Sequence, residues 1–141
     1  MVDILSNPKL NPVFAEVIQE AISLSDHDLR CVEGVRTKER QQRLWDLGED
    51  QTGGQARLFG AAATLVVFID DIPCFGDLIY FDVADSMRFA GQNIGVPIAW
   101  GGAINSNGFV DITRFNTTGA MRALHDQCFE DLVENGKSYR P

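Results

Sequence analysis

Residues 60–69 read GAAATLVVFI, with small residues first and β-branched and aromatic residues after them. This composition is typical of a buried central strand, because branched and aromatic side chains pack well on a pleated surface. Gly60 and Thr64 interrupt the apolar run, which is too short to cross a bilayer. The elements on either side of this strand therefore decide the fold class.

Two helices and a strand are predicted upstream. Residues 11–24 place apolar side chains at the i, i+3, i+4 spacing of an amphipathic helix, with Asn11 as its cap. Residues 29–35 alternate in polarity, which indicates a short strand. Residues 37–48 have a cap residue, a charged first turn and a terminal glycine, and these signals predict a second helix.

Downstream, residues 70–73 read as a turn and residues 81–93 as a helix. The remaining predictions are a strand at 95–100, turns at 101–102 and 105–108, a strand at 109–115, and a helix at 118–134 capped by Thr117 or Thr118. This order predicts the α+β class, with a short central antiparallel sheet and flanking helices. We expect one domain over residues 1–141, with terminal arms at 1–10 and 136–141.

Length and charge narrow the possible partners. The chain has 141 residues, which is a common size for one domain. Its net charge of −8 repels phosphate backbones and anionic membranes, so we expect neither nucleic acid nor a membrane as partner. The N-terminus lacks the features of a signal peptide, so the expected place of synthesis is the cytoplasm, with cell lysis as one route out.

The cysteines and several paired residues offer weaker signals. Three cysteines without CxxC spacing argue against a disulfide framework and a thiolate zinc site, and favour free buried thiols. Cys31 with His27 suggests a thiol dyad, although a four-residue gap across a loop seldom gives that geometry. The pair Asp70–Asp71 is a metal pair or a turn, and the turn is the simpler interpretation beside Pro73.

Four segments carry a family resemblance by their order and spacing. They are Gly34-Val35-Arg36-Thr37 leading to Gln41, Leu44, Trp45 and Gly48; Arg57 to Thr64; Ile98 to Gly102; and Asp111 to Asn116. Together they resemble the VanY-like D-alanyl-D-alanine carboxypeptidases and phage L-alanyl-D-glutamate endopeptidases over residues 30–116. The resemblance implies the small α+β scaffold of these zinc peptidases.

The same resemblance implies three metal-ligand positions, which the family fills with two histidines and an aspartate. Here those positions are Arg57, Thr64 and Arg114. Arginine stays protonated and has no lone pair for a metal, and a threonine hydroxyl is a weak neutral ligand. A catalytic zinc needs three good donors and an open position. We therefore predict no metal, no cofactor and no enzymatic activity.

Other family positions keep their polar residues. By resemblance, Arg36 and Gln41 help to hold the substrate or the transition-state oxyanion, and Asp111 is the general base. The predicted remnant pocket comprises Arg36, Gln41, Arg57, Thr64, Asp111 and Arg114. Three interpretations stay open: the arginines fill the metal's space and pair with acids such as Asp111, the pocket binds a carboxylate, such as a cell-wall peptide terminus, or the remnant site catalyses a new reaction.

Three functional hypotheses follow. The favoured one is a catalytically inactive peptidase-like protein that forms part of a phage virion, as a head decoration or in the tail or baseplate. Its partners would be other virion proteins and copies of itself. The alternatives are a domain that binds peptidoglycan peptide without cutting it, and an active cell-wall endolysin whose metal ligands are displaced.

Overall fold

The structure is a computed structural model, and it describes residues 10–34, 38–47, 62–117 and 119–136. Its elements are α1 (Pro12–Leu24), β1 (Asp28–Glu33), α2 (Lys38–Asp46), β2 (Thr64–Ile69), β3 (Ile72–Cys74), α3 (Asp77–Ile94), β4 (Ala99–Asn105), β5 (Gly108–Asp111), a 3-10 helix (Ile112–Arg114) and α4 (Ala120–Glu134). The predicted α+β class is confirmed. The antiparallel strands form a three-stranded sheet, in the order β1-β2-β3, and a β4-β5 pair.

Helix α1 begins as its sequence predicts. The Asn11 side-chain oxygen accepts hydrogen bonds from the backbone nitrogens of Val13, at 3.0 Å, and Phe14, at 3.2 Å. These bonds satisfy two of the donors that a helix start leaves without an intrahelical partner. Pro12 occupies the first helical position, where its missing N–H costs nothing.

The turn at Asp70 and Asp71 is tighter than predicted, and it leaves room for a strand. Both residues have positive φ angles, 52° and 63°, which aspartate tolerates better than most residues. Strand β3 starts at Ile72, directly after this two-residue turn, so the prediction of a turn through Pro73 is wrong there. Arg30 on β1 donates to the Asp71 carboxylate at 2.8 Å and so holds the turn against the sheet.

Helix α3 is longer than predicted, because it begins at Asp77 instead of 81. Its N-cap is Gly76, which has no side chain to signal a helix start. The C-terminus does carry a signal: Gly95 adopts φ 82°, a left-handed conformation that glycine takes without strain. The backbone nitrogens of Gly95 and Val96 both donate to the carbonyl of Gly91 and close the helix.

The predicted turn at Gly101 and Gly102 is wrong, because both residues lie inside β4. A Cβ atom on Gly102 would collide with the Trp100 ring, so this glycine leaves space for that ring to pack. The predicted strand at 109–115 ends at Asp111, where the aspartate side chain caps the 3-10 helix. Helix α4 starts at Ala120 after Gly119, the carbonyl of Thr117 accepts from the Ala120 nitrogen, and Thr118, the other predicted cap, lies outside the described residues.

The main core lies between the helices and the β4-β5 pair. Its buried members are Val17, Ile18, Ala21, Ala84, Met87, Ala90, Ile98, Ala103, Ile112, Met121, Leu124 and Cys128. Leu29, Val67 and Val83 form a smaller cluster between α3 and the three-stranded sheet. Ile98 directly precedes β4, and Ile112 directly follows β5. Because both are core residues, the chain is anchored in the main core at these two points.

None of the helices in the described segments combines the length and apolarity of a bilayer-spanning helix. The predicted arms, 1–10 and 136–141, lie outside the described residues except for Leu10 and Gly136.

Candidate functional site

Asp111 is held at the junction of β5 and the 3-10 helix. Its Oδ1 atom accepts hydrogen bonds from the Thr113 hydroxyl at 2.7 Å, the Thr113 nitrogen at 3.0 Å and the Ile98 nitrogen at 3.2 Å. The Ile112 nitrogen donates to the Ile98 carbonyl at 2.9 Å and adds a backbone bond beside them. With three donors on one oxygen, the orientation of the carboxylate is fixed.

These contacts also set the charge of Asp111. Burial raises the pKa of Asp111, but the hydrogen bonds from Thr113 and Ile98, with the charge of Arg114, outweigh burial and bring it below the ordinary 3.8. The carboxylate is therefore ionised at neutral pH. The carboxylate can therefore accept hydrogen bonds at neutral pH. Because its pKa is lowered, it is a weaker base than an ordinary aspartate.

Arg114 lies one turn after Asp111 and points into solvent. Its Nε atom is 4.0 Å from Asp111 Oδ2, at the outer limit of an ion pair, and its side chain is 81% exposed. Exposed pairs at such distances are worth little, because water screens the charges. The guanidinium thus remains accessible to an anion beside a fixed carboxylate.

The other predicted pocket residues are placed only in part. Thr64 is the first residue of β2 and pairs with Glu33 across the sheet. Within the described segments, no hydrogen bond or ion pair joins Thr64 to Asp111 or Arg114. Gln41 belongs to α2, but its side chain lies outside the described atoms, as do Arg36 and Arg57 altogether.

Helix α3 supports the Asp111 segment through two residues that the sequence analysis did not select. The Arg88 guanidinium donates to the carbonyl of Phe115 at 2.9 Å. The Gln92 amide lies 2.9 Å from the Thr113 carbonyl and 2.7 Å from that of Phe115. The sequence feature that could have indicated this contact is Arg88 itself, a charged residue on the apolar face of a predicted helix.

The suggested thiol dyad does not form. The His27 ring nitrogen Nε2 contacts Asp82 at 3.1 Å, and the Cys31 thiol donates to the Glu33 carbonyl at 3.7 Å. No disulfide joins Cys31, Cys74 and Cys128, and only Cys128 is buried, so the prediction of buried thiols holds for that residue alone. Burial and the nearby Asp131 charge raise the pKa of Cys128, so that thiol stays protonated.

Trp100 is half-buried against the main core. Phe81 meets its ring edge-on at a centroid distance of 6.1 Å, and His125 lies 6.0 Å away. His125 Nδ1 is 2.7 Å from the Gly102 carbonyl, which ties α4 to β4. The histidine thus takes part in a structural contact behind β4.

The residues at the family's metal positions do not fit a zinc ion. Arg114 offers only N–H donors, and Arg57 is of the same chemical type. Thr64 is a neutral hydroxyl at the start of a strand. A zinc site with an open position needs three nitrogen, oxygen or sulfur ligands with lone pairs, and this set supplies one weak ligand. These three residues therefore support no metal-dependent step.

Comparison with known proteins identifies relatives of the whole arrangement. The sequence profile of the family described as phage L-alanyl-D-glutamate peptidase matches residues 5–125. The crystal structure of the Serratia marcescens L-Ala D-Glu endopeptidase ChiX is similar, with a TM-score of 0.64 and 25% sequence identity. The similarity covers 72% of this chain and 76% of that one. No curated protein sequence matches the chain.

These matches correct one prediction and confirm another. The prediction that the chain is not an enzyme is wrong by this comparison, because the matched family and the similar structure are both named for peptidase activity. The predicted family and scaffold are confirmed. With a match from residue 5 to residue 125, the chain belongs to the phage L-alanyl-D-glutamate peptidase family.

Proposed function

We propose that this protein is a peptidase that cuts bacterial cell-wall peptides between L-alanine and D-glutamate. The observation that carries the proposal is the family match over residues 5–125, which includes the Asp111 segment. The similarity to a Serratia marcescens endopeptidase of the same named specificity supports it.

Asp111 is the residue best placed to handle a proton. Its Oδ1 atom is occupied by donors from Thr113 and Ile98, which leaves Oδ2 as the oxygen that can face a substrate. A fixed, ionised carboxylate accepts a hydrogen bond from a water molecule or from a peptide N–H. We assign Asp111 the role of orienting the attacking water, accepting its proton, and passing that proton to the D-glutamate amine nitrogen as the amide bond breaks.

Arg114 is the residue best placed to bind the substrate's charge. A peptide that contains D-glutamate carries a carboxylate close to the bond that is cut. A guanidinium pairs with carboxylates through two parallel N–H bonds, and Arg114 is exposed beside Asp111. The arginine would therefore position the glutamate while Asp111 faces the amide bond.

The test is a direct assay of cleavage. Purified peptidoglycan is incubated with the protein, once with added zinc and once with a chelator, and the fragments are identified by mass spectrometry. We expect new L-alanine carboxyl ends and D-glutamate amino ends, and their loss in Asp111→Asn. Arg122→Gln, a change on an exposed face of α4, is the matched control. Failure to produce these ends under either metal condition would contradict the proposal.

We also propose that the protein is carried in the phage particle, where it contacts other virion proteins or copies of itself. The phage origin of the matched family supports this location. A protein inventory of purified virions, beside light scattering on the isolated protein, tests it. A stable monomer that is absent from virions would contradict the proposed location, and the structural role suggested by the sequence stays a prediction.

A further inference from the structure

Arg88 is a buried cation in the middle of α3. The residue is 3% exposed, and burying a charge is costly unless it is paired and hydrogen-bonded. Its Nε and NH2 atoms lie 2.9 and 2.8 Å from Asp85 Oδ1. Its NH1 atom donates to the Phe115 carbonyl at 2.9 Å and to the Gln92 side-chain oxygen at 3.3 Å. The guanidinium thus joins the helix to the segment after Asp111.

Gln92 lies one turn further along the same face and continues this contact. Its Nε2 atom is 2.9 Å from the Thr113 carbonyl, 2.7 Å from the Phe115 carbonyl and 3.2 Å from the Asn116 side-chain oxygen. An amide nitrogen has two hydrogens, so they are shared among three acceptors. The Phe115 carbonyl accepts from both Arg88 and Gln92, which fixes this peptide group from two sides.

The backbone of α3 also lies directly against this segment. A Cβ atom on Gly91 would be 2.8 Å from the Thr113 methyl group and 2.7 Å from Ile98 Cγ1. Thr113 and Ile98 are the two residues whose donors hold the Asp111 carboxylate. Helix α3 therefore touches the supports of Asp111 as well as the chain that follows.

We propose that Arg88 and Gln92 are positioning residues of the peptidase site, which fix the backbone from Thr113 to Asn116 and thereby the directions of Asp111 and Arg114. The assignment to a peptidase site rests on the proposed function. Arg88 acts through the Phe115 carbonyl, and Gln92 acts through the carbonyls of Thr113 and Phe115.

The chemistry of the contact favours this role over simple packing. An apolar pair of similar size would hold α3 on the core without the cost of burying a charge and an amide. Polar groups with fixed directions select one backbone arrangement, whereas apolar contacts tolerate sliding. The acceptors, moreover, lie in the short stretch that carries the site residues, 21 to 27 residues away in the chain.

The test compares Gln92→Leu with the control Asn93→Leu. Asn93 is a neighbouring exposed amide, and its only described side-chain hydrogen bond is a long one to Glu20, at 3.4 Å. Amide hydrogen exchange is followed by mass spectrometry or NMR. In Gln92→Leu we expect exchange at Thr113 and Phe115 to be about fivefold faster, with no change in α1. In the cleavage assay we expect kcat to fall roughly tenfold or more with KM little changed, because the reacting groups are misplaced.

A second variant guards against loss of folding. Gln92→Asn keeps the amide but is one methylene shorter, and it should change exchange and kcat in the same direction. Unchanged exchange at Thr113 and Phe115 in either folded variant overturns the proposal, as does an equal effect of Asn93→Leu. If the unmodified protein cuts no peptidoglycan, the proposed function fails, while the exchange data still decide whether Gln92 positions the segment.

Discussion

The Oδ1 atom of Asp111 lies 3.2 Å from the backbone nitrogen of Ile98, so a single carboxylate oxygen ties the residue before β4 to the start of the 3-10 helix. Thr113 donates to the same oxygen twice. The ionised form of Asp111 is thus part of the fold as well as part of the proposed site.

Acid should weaken this contribution to stability. The folded-state pKa of Asp111 is below its ordinary value of 3.8, so its stabilisation is complete above about pH 4 and is lost as the pH falls through the folded-state value. Asp111→Asn should lower the free energy of unfolding by about 1–2 kcal/mol at pH 7, with a smaller difference at pH 2. Urea denaturation at both pH values measures this.

The control for that measurement is Asp126→Asn, a change of an exposed carboxylate on α4. Its free energy of unfolding should stay within about 0.5 kcal/mol of the unmodified protein at both pH values. An Asp111→Asn difference that is the same at pH 2 and pH 7 would show that the charge of Asp111 does not contribute.

Arg114→Gln should weaken binding of a peptide that contains L-alanyl-D-glutamate. The side chain is exposed, so we expect a loss of roughly two- to fivefold in affinity, the range of a solvent-accessible ion pair. The difference should shrink in 1 M salt, because mobile ions screen exposed charges. Calorimetric titration of Asp111→Asn and of the double variant measures binding without cleavage. Equal affinities of these two proteins would remove Arg114 from the substrate site.

Metal analysis tests the mismatch at the family's ligand positions. Protein purified without chelator should contain well under one zinc per chain, because Arg57 and Arg114 have no lone pairs to offer. The combined change Arg57→His, Thr64→Asp and Arg114→His should raise the zinc content, whereas single changes should not. One tightly held zinc in the unmodified protein would show that the ligands lie elsewhere in the chain.

The sequence predicts where helices and strands lie better than it predicts the contacts that hold Asp111 in place. Asn11 has the residue type that caps helices, so local chemistry identifies that end, whereas the strand predicted at 95–100 wrongly includes Gly95, which ends α3. The turn predicted at Gly102 is wrong because this glycine leaves space for the Trp100 ring. Local sequence does not reveal such a contact. The Asp70–Asp71 turn is found, but the strand beginning at Ile72 is not, because three residues carry no periodicity.

The position of Asp111 follows from the family resemblance, whereas its support by α3 does not. Ala84, Met87 and Arg88 follow a helical stripe, so the sequence already places a charge on an apolar face. The Arg88 guanidinium, however, donates to the backbone carbonyl of Phe115. Every residue has such a carbonyl, so the sequence does not indicate which one is the acceptor. Contacts from a side chain to a distant main chain appear only once the fold brings the two segments together.

The close approach of α3 to the site gives the last prediction, which concerns Gly91. The Cβ atom of an alanine here would lie 2.7 Å from Ile98 Cγ1, and 2.8 Å from both the Thr113 methyl group and the Val96 carbonyl oxygen. One of these neighbours is backbone, Ile98 is a core residue and Thr113 is half-buried, so the helix or these neighbours must shift. We expect Gly91→Ala to destabilise the fold by about 1–3 kcal/mol despite alanine's better helix propensity.

Gly76→Ala is the matched control, because its Cβ would meet nothing closer than the Cys74 sulfur at 4.0 Å and its φ angle of −66° suits any residue. Its free energy of unfolding should fall by no more than about 1 kcal/mol, since alanine is a poorer N-cap residue than glycine. Thermal and urea unfolding of both variants give the comparison. Since the shift in Gly91→Ala would displace Thr113 and Ile98 together, the hydrogen exchange of their amides should also rise. If Gly91→Ala leaves both stability and exchange unchanged, α3 is not in close contact with Ile98 and Thr113, the residues that hold Asp111.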